Sequence, residues 1–166
     1  MSARTHKILT YWCFFVAFCL AMMKLYFAYR WWFDGIAFWS EQWRPFPDWG
    51  TGSELYGALL PAKWIGTRNL GYCLIILASI FFSHKYKRYQ FLGFLLLQGV
   101  LIEFFDGFWL ANGFFNMGWK APSEKFYVYM IGGFLWFPFS LSSGIYLLSK
   151  ERLERAGDNS PAVATT

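Results

Sequence analysis

Four uninterrupted apolar runs, residues 8–28, 64–82, 89–111 and 126–148, constrain this chain more than any other feature. Each is close to the roughly 20 residues that a helix needs to cross the hydrocarbon core of a bilayer. A buried helix of a water-soluble domain rarely keeps an apolar run that long. The composition agrees: 57% of the residues are hydrophobic, 24% aromatic and only 15% charged, outside the usual range for soluble domains. The expected fold is therefore all-α: a polytopic membrane protein built as an antiparallel four-helix bundle. Its 166 residues suffice for one such domain, 1–155, followed by a disordered cytoplasmic tail at 156–166.

The connections are unequal. Ser83, His84, Lys85, Tyr86, Lys87 and Arg88 join the second run to the third, and a polar stretch around Lys120, Pro122, Ser123 and Glu124 joins the third to the fourth. Turns this short place consecutive helices side by side and antiparallel. Between the first and second runs lies a long loop carrying Trp31, Trp32, Trp39, Trp43 and Trp49. Trp32, Ile36, Trp39 and Trp43 follow helical spacing, so a short helix in the membrane interface is expected there, as an anchor or as a lid. Arg44, Pro45, Phe46 and Pro47 then break it.

Arg4, Lys7, Lys85, Lys87, Arg88, Lys150, Arg152 and Arg155 fall in short segments on one side of the expected bundle. Positive charge collects on the cytoplasmic face, so both termini are expected there, in a bacterial inner membrane. The basic residues form no stripe, and the net charge of +5 is read as topology and not as nucleic-acid binding. The first run is too long for the apolar core of a signal peptide and ends at bulky residues with no small-residue cleavage site. Cys13, Cys19 and Cys73 lie within spans without paired spacing and read as small packing residues.

Lys24, Arg68, Glu103 and Asp106 are the charges inside the apolar runs. A charge at bilayer depth is costly and is rare unless paired or functional. At about 1.5 Å of rise per residue, Arg68 stands roughly 7 Å outward of mid-span, Glu103 roughly 4 Å, and Asp106 and Lys24 roughly 9 Å, which is one layer. Glu103 and Asp106 are three apart and share a helix face. Two readings stay open. In one, Arg68 pairs with Asp106 or Glu103 and holds the helices in register. In the other, a carboxylate in an apolar pocket donates or accepts a proton while Arg68 orients an anionic or carbonyl group. Asn69 and Asn112 would then hydrogen-bond a ligand, Lys24 would supply a second cation, and Trp109 and Trp136 would line the apolar walls.

His6 and His84 lie outside the spans, so no histidine is available for an intramembrane haem or metal; no cofactor and no metal are expected. No phosphate loop, nucleophile elbow or dinucleotide fingerprint occurs. Four spans without an inverted repeat would need further copies to form a transporter. Small residues four apart, Ala17 with Ala21, Gly107 with Ala111, and Ser140 with Gly144, offer close helix contacts; Gly132, Gly133 and Pro138 suggest close packing or a kink.

Gly52-Ser53-Glu54-Leu55-Tyr56-Gly57-Ala58-Leu59-Leu60, then Gly66-Thr67-Arg68-Asn69-Leu70-Gly71-Tyr72, a basic turn, and a third span ending in Glu103 and Asp106 resemble the DoxX-like superfamily of small four-helix membrane proteins. The likeness covers roughly residues 50–112; the Trp-rich loop departs from it. It implies a four-helix bundle, with some members associated with quinone-linked oxidoreductases and others assisting assembly of membrane complexes. Two functions are expected: binding of a small lipophilic molecule (quinone, isoprenoid or sterol-like) in an outer-half pocket, with acid-base chemistry such as isomerisation on Glu103 or Asp106, or service as a non-catalytic accessory subunit or assembly factor. The expected partners are the bilayer, that molecule, and further copies or a larger membrane complex.

Overall fold

Helices account for all regular structure among the described residues of the computed structural model, which are 3–35, 37, 53–102 and 135–150, with backbone only at 3 and 53–61. Helix α1 spans Ala3–Tyr29 and continues into a π-helical turn, Arg30–Asp34. Helix α2 spans Ser53–Tyr86, α3 Gln90–Ile102 and α4 residues 135–150. Two helical stretches, Arg4–Asp34 and Ala62–Tyr86, are long and apolar enough to cross a membrane.

The boundaries differ from the sequence expectation in instructive ways. Helix α1 starts before residue 8, because Arg4 to Lys7 extend its hydrogen-bond ladder without needing to be apolar. Helix α2 begins well before residue 64 and runs through Pro61, which has no N–H to give the Gly57 carbonyl. It also absorbs most of the basic connection, so the turn to α3 is only residues 87–89. Lys87 makes that turn possible with a left-handed backbone, φ 56°. Trp32 was expected in a separate interfacial helix; it belongs instead to the π-helical turn that ends at Gly35, φ 38°. Ile36 and residues 38–52 lie outside the described residues, as do residues 103–134 and the tail.

The interior mixes small side chains with leucine and isoleucine. Cys13, Val16, Ala17, Leu20 and Ala21 from α1 meet Cys73 and Ile76 from α2, Leu92, Leu95 and Leu96 from α3, and Leu147 from α4. On α2 the buried positions 62, 66, 69, 73, 76, 79 and 83 step by threes and fours, the spacing that keeps one seam facing neighbouring helices. Helices α3 and α4 approach most closely: a Cβ on Gly93 would lie 3.0 Å from the Gly144 carbonyl, and one on Gly144 would lie 2.8 Å from Leu97 Cγ. Ser140, four residues before Gly144, donates to the Leu96 carbonyl across the same contact at 3.2 Å. Many further large apolar side chains face outward: Phe15, Phe18, Leu74, Phe81, Phe91 and Ile145 are all exposed. So much exposed apolar surface suits a hydrocarbon solvent better than water.

Hydroxyls and amides along the helices bond their own backbone one turn back. Thr10, Thr67, Asn69, Ser79, Ser142 and Ser149 each donate to the carbonyl four residues earlier. This leaves little unmet polarity on an apolar surface.

Both ends of the bundle are tied. At one, Tyr146 donates to the His6 carbonyl at 3.1 Å, Lys150 donates to the Thr10 hydroxyl at 2.8 Å and lies 4.2 Å from the centre of the Tyr89 ring, and Phe14 packs against both His84 and Tyr89. The start of α1, the α2–α3 turn and the end of α4 therefore gather together, as the basic residues predicted. At the other end Lys63 donates to the Trp32 carbonyl and lies over the Trp32 ring, and that ring fills the notch above Gly66.

Because backbone cannot yield at the α3–α4 contact, Gly144→Val is expected to destabilise the fold by about 2–3 kcal/mol, as overpacking does. Ala17→Gly, which only loosens a contact, should cost roughly 1 kcal/mol. Unfolding by sodium dodecyl sulfate titration in mixed micelles measures both.

Candidate functional site

Tyr72 organises the layer in which the sequence placed its charges. Its phenol donates to the Leu95 carbonyl at 2.8 Å, joining α2 to α3. Gly99 lies one turn further along α3, and a Cβ there would come 3.4 Å from the Tyr72 oxygen and 3.6 Å from Leu20 Cδ2. Both are ordinary van der Waals distances, so three helices converge here with room for a small side chain. Lys24, one turn beyond Leu20 on α1, is buried, and its ammonium lies 6.0 Å from the centre of the Tyr72 ring. Asn69, one turn from Tyr72 on the same face of α2, is also buried and donates to the Ile65 carbonyl at 3.0 Å.

Arg68 is exposed although its neighbour Asn69 is buried, since adjacent positions on a helix point about 100° apart. Of the two cations assigned to this layer, Lys24 is therefore the one that sits inside the bundle. Both keep interactions with other parts of the chain.

The fourth helix enters through Trp136. The antiparallel contacts Gly93 with Gly144 and Leu96 with Ser140 fix the register of α3 against α4, and one further turn sets Trp136 near Val100, next to Gly99. Its ring packs against the core cluster and tilts against Phe139 at 5.9 Å. The indole Nε1 is buried and has no hydrogen-bond partner among the described residues. A buried donor without an acceptor is uncommon, because its lost hydration goes uncompensated. It marks a place where an oxygen of a bound molecule would be stabilised.

The described residues thus bring Lys24 to the Tyr72 ring and set Asn69 one turn away on the same helix, while Trp136 reaches the core cluster from α4 at the level that the α3–α4 register gives it. Glu103, Asp106, Trp109 and Asn112 lie outside the described residues; Glu103 follows Gly99 by four positions in the sequence. Sequence reading did not single out Tyr72 or Gly99. Their signal was only the helical spacing of Asn69 with Tyr72 and of Gly99 with Glu103, and a tyrosine in so aromatic a chain does not stand out.

Lys24 can hold an anionic or carbonyl oxygen, Asn69 can donate or accept, and Trp136 can donate. All three put buried polar atoms into an otherwise apolar interior, the kind of groups that orient a small molecule with one polar end. No protein-family model, curated protein or solved structure matches the chain.

Tyr72→Phe is expected to lower stability by about 1 kcal/mol through loss of the bond to Leu95. Tyr72→Ala also empties ring volume beside Lys24 and should cost about 3–4 kcal/mol. The difference between the two, measured by the same titration, separates the bond from the packing.

Proposed function

We propose that this chain is an integral membrane protein, a polytopic four-helix bundle that holds a small lipophilic molecule between its helices. The observation that carries the reading is the buried Trp136 indole N–H without a partner among the described residues, in the layer that also buries Lys24 and Asn69. A molecule reaching this layer from the bilayer would be largely hydrocarbon with an oxygen at one end; quinones, isoprenoids and sterol-like compounds have that form. Trp136 donates to the oxygen, Lys24 balances negative charge on it, and Asn69 supports the same end.

Glu103 and Asp106 are the proton-transferring groups of this proposal, and Arg68 is the cation that orients the ligand at the open side. With one carboxylate taking a proton from carbon and returning it elsewhere, the reaction class is acid-base isomerisation. Trp109 and Asn112 complete the lining. The DoxX-like resemblance supports a membrane bundle of this size, and an association with quinone chemistry fits the proposed ligand class.

For orientation, the gathering of His6, Lys7, His84, Lys85, Lys87, Arg88 and Lys150 at one end of the bundle supports a cytoplasmic location for that end and for both termini. A bacterial inner membrane is the setting in which this rule applies most directly.

The test is native mass spectrometry of the protein released gently from its own membrane. One stoichiometric small molecule is expected, retained about ten-fold less in Trp136→Phe, the loss of one hydrogen bond to a buried acceptor, and also lost in Lys24→Met. Glu103→Gln should keep the molecule bound while stopping its conversion. A protein that emerges empty with a fixed set of larger membrane partners would replace this reading with that of an accessory subunit or assembly factor.

A further inference from the structure

A groove of about 840 Å³ runs along the outside of the bundle where α2 turns into α3. Ile75, Ala78, Phe82 and Tyr86 form its α2 wall, and Phe91 and Arg88 close it from α3 and the turn. Ser79 also lines it, but its hydroxyl is spent on the Ile75 carbonyl at 2.6 Å, so this part of the floor presents little free polarity. From Ile75 to Tyr86 is eleven helical steps, or roughly 16 Å. That is about half of the roughly 30 Å hydrocarbon thickness, the depth of one leaflet.

Only one end of the groove is charged. Arg88 stands in its mouth, and Lys85 is held beside it, 5.1 Å from the centre of the Tyr86 ring and 5.9 Å from that of Phe81. Lys87 completes three cations in four residues. Its backbone adds a second, independent observation: φ is 56°, a conformation that glycine adopts freely and that a side chain makes costly. A lysine where glycine would relieve strain is explained if its charge is used.

The geometry points to a binding site for one anionic phospholipid of the leaflet that meets the α2–α3 turn, its acyl chain along Ile75, Phe82 and Phe91 and its phosphate against Arg88, Lys85 and Lys87. The occupant follows from charge and length together: an apolar channel one leaflet deep, capped by three cations with no acidic residue between 83 and 91. Basic residues at the interface draw anionic headgroups out of a mixed bilayer. The inference rests on the membrane-spanning part of the proposed function and not on the interior ligand near Trp136.

The experiment is native mass spectrometry of the full chain in detergent with equal amounts of phosphatidylglycerol and phosphatidylcholine of the same acyl composition. One phosphatidylglycerol is expected to remain bound, favoured about ten-fold over phosphatidylcholine. Arg88→Gln and Lys85→Gln should each lower that preference about five-fold, the effect of one cation near a headgroup. Ala78→Trp, which fills the channel and keeps every charge, should remove the bound lipid of either kind. Lys87→Gly should raise thermal stability while lowering the preference; a lysine with only a structural role would not show the second change. Equal retention of the two lipids, or a preference unmoved by Arg88→Gln, overturns the site. Either result would leave the Trp136 ligand untouched, whereas release of the chain from membranes by alkaline carbonate would overturn the membrane reading and both sites with it.

Discussion

The close approach of α3 and α4 at Gly93 and Gly144 is the contact on which the remaining geometry depends. Where residues are this small, helices come close enough to associate through dispersion at short range and through hydrogen bonds. Two glycines facing each other bring the backbones near enough for Ser140 to reach the Leu96 carbonyl. That register then sets everything else on α4: Trp136 beside the Tyr72 layer on one side, and Tyr146 and Lys150 against α1 on the other. A side chain at either glycine would move all four residues together.

The polar groups show the same economy. Most hydroxyls with a bond among the described residues turn back on their own helix, and others reach between helices, as in the bond from Tyr72 to Leu95 and the one from Tyr146 to His6. The cross-links among the described residues fall in three places: near the middle, at the basic end, and at the other end where Lys63 clasps Trp32. The Trp136 nitrogen and the Ser143 hydroxyl are buried without a hydrogen-bond partner among the described residues.

Much of this was legible in the sequence. Length and hydropathy marked the first two runs as helices, and the described parts of the third and fourth runs are helical as well, because a long apolar stretch meets its backbone hydrogen bonds within itself. The gathering of the basic segments followed from charge distribution alone, and the Ser140–Gly144 pair was recognisable from its spacing. Helix ends were less legible: polar residues at 3–7 and 83–86 continue helices because hydrogen bonding, and not hydropathy, decides where a ladder ends. Cross-helix partners were not legible. Nothing in the chain announces that Trp32 rests on Gly66 or that Gly93 meets Gly144, since such pairs depend on a three-dimensional register that no local pattern encodes. The depth argument placed Lys24 and Arg68 at one level with Glu103 and Asp106, yet only packing distinguishes the buried Lys24 from the exposed Arg68.

The bonds from Tyr146 to His6 and from Lys150 to Thr10 join residues 140 positions apart. Ties between residues so far apart in the chain reward folding only after the intervening segments have given up their freedom, so the entropy of loop closure weighs on this end of the fold more than on contacts between neighbouring helices.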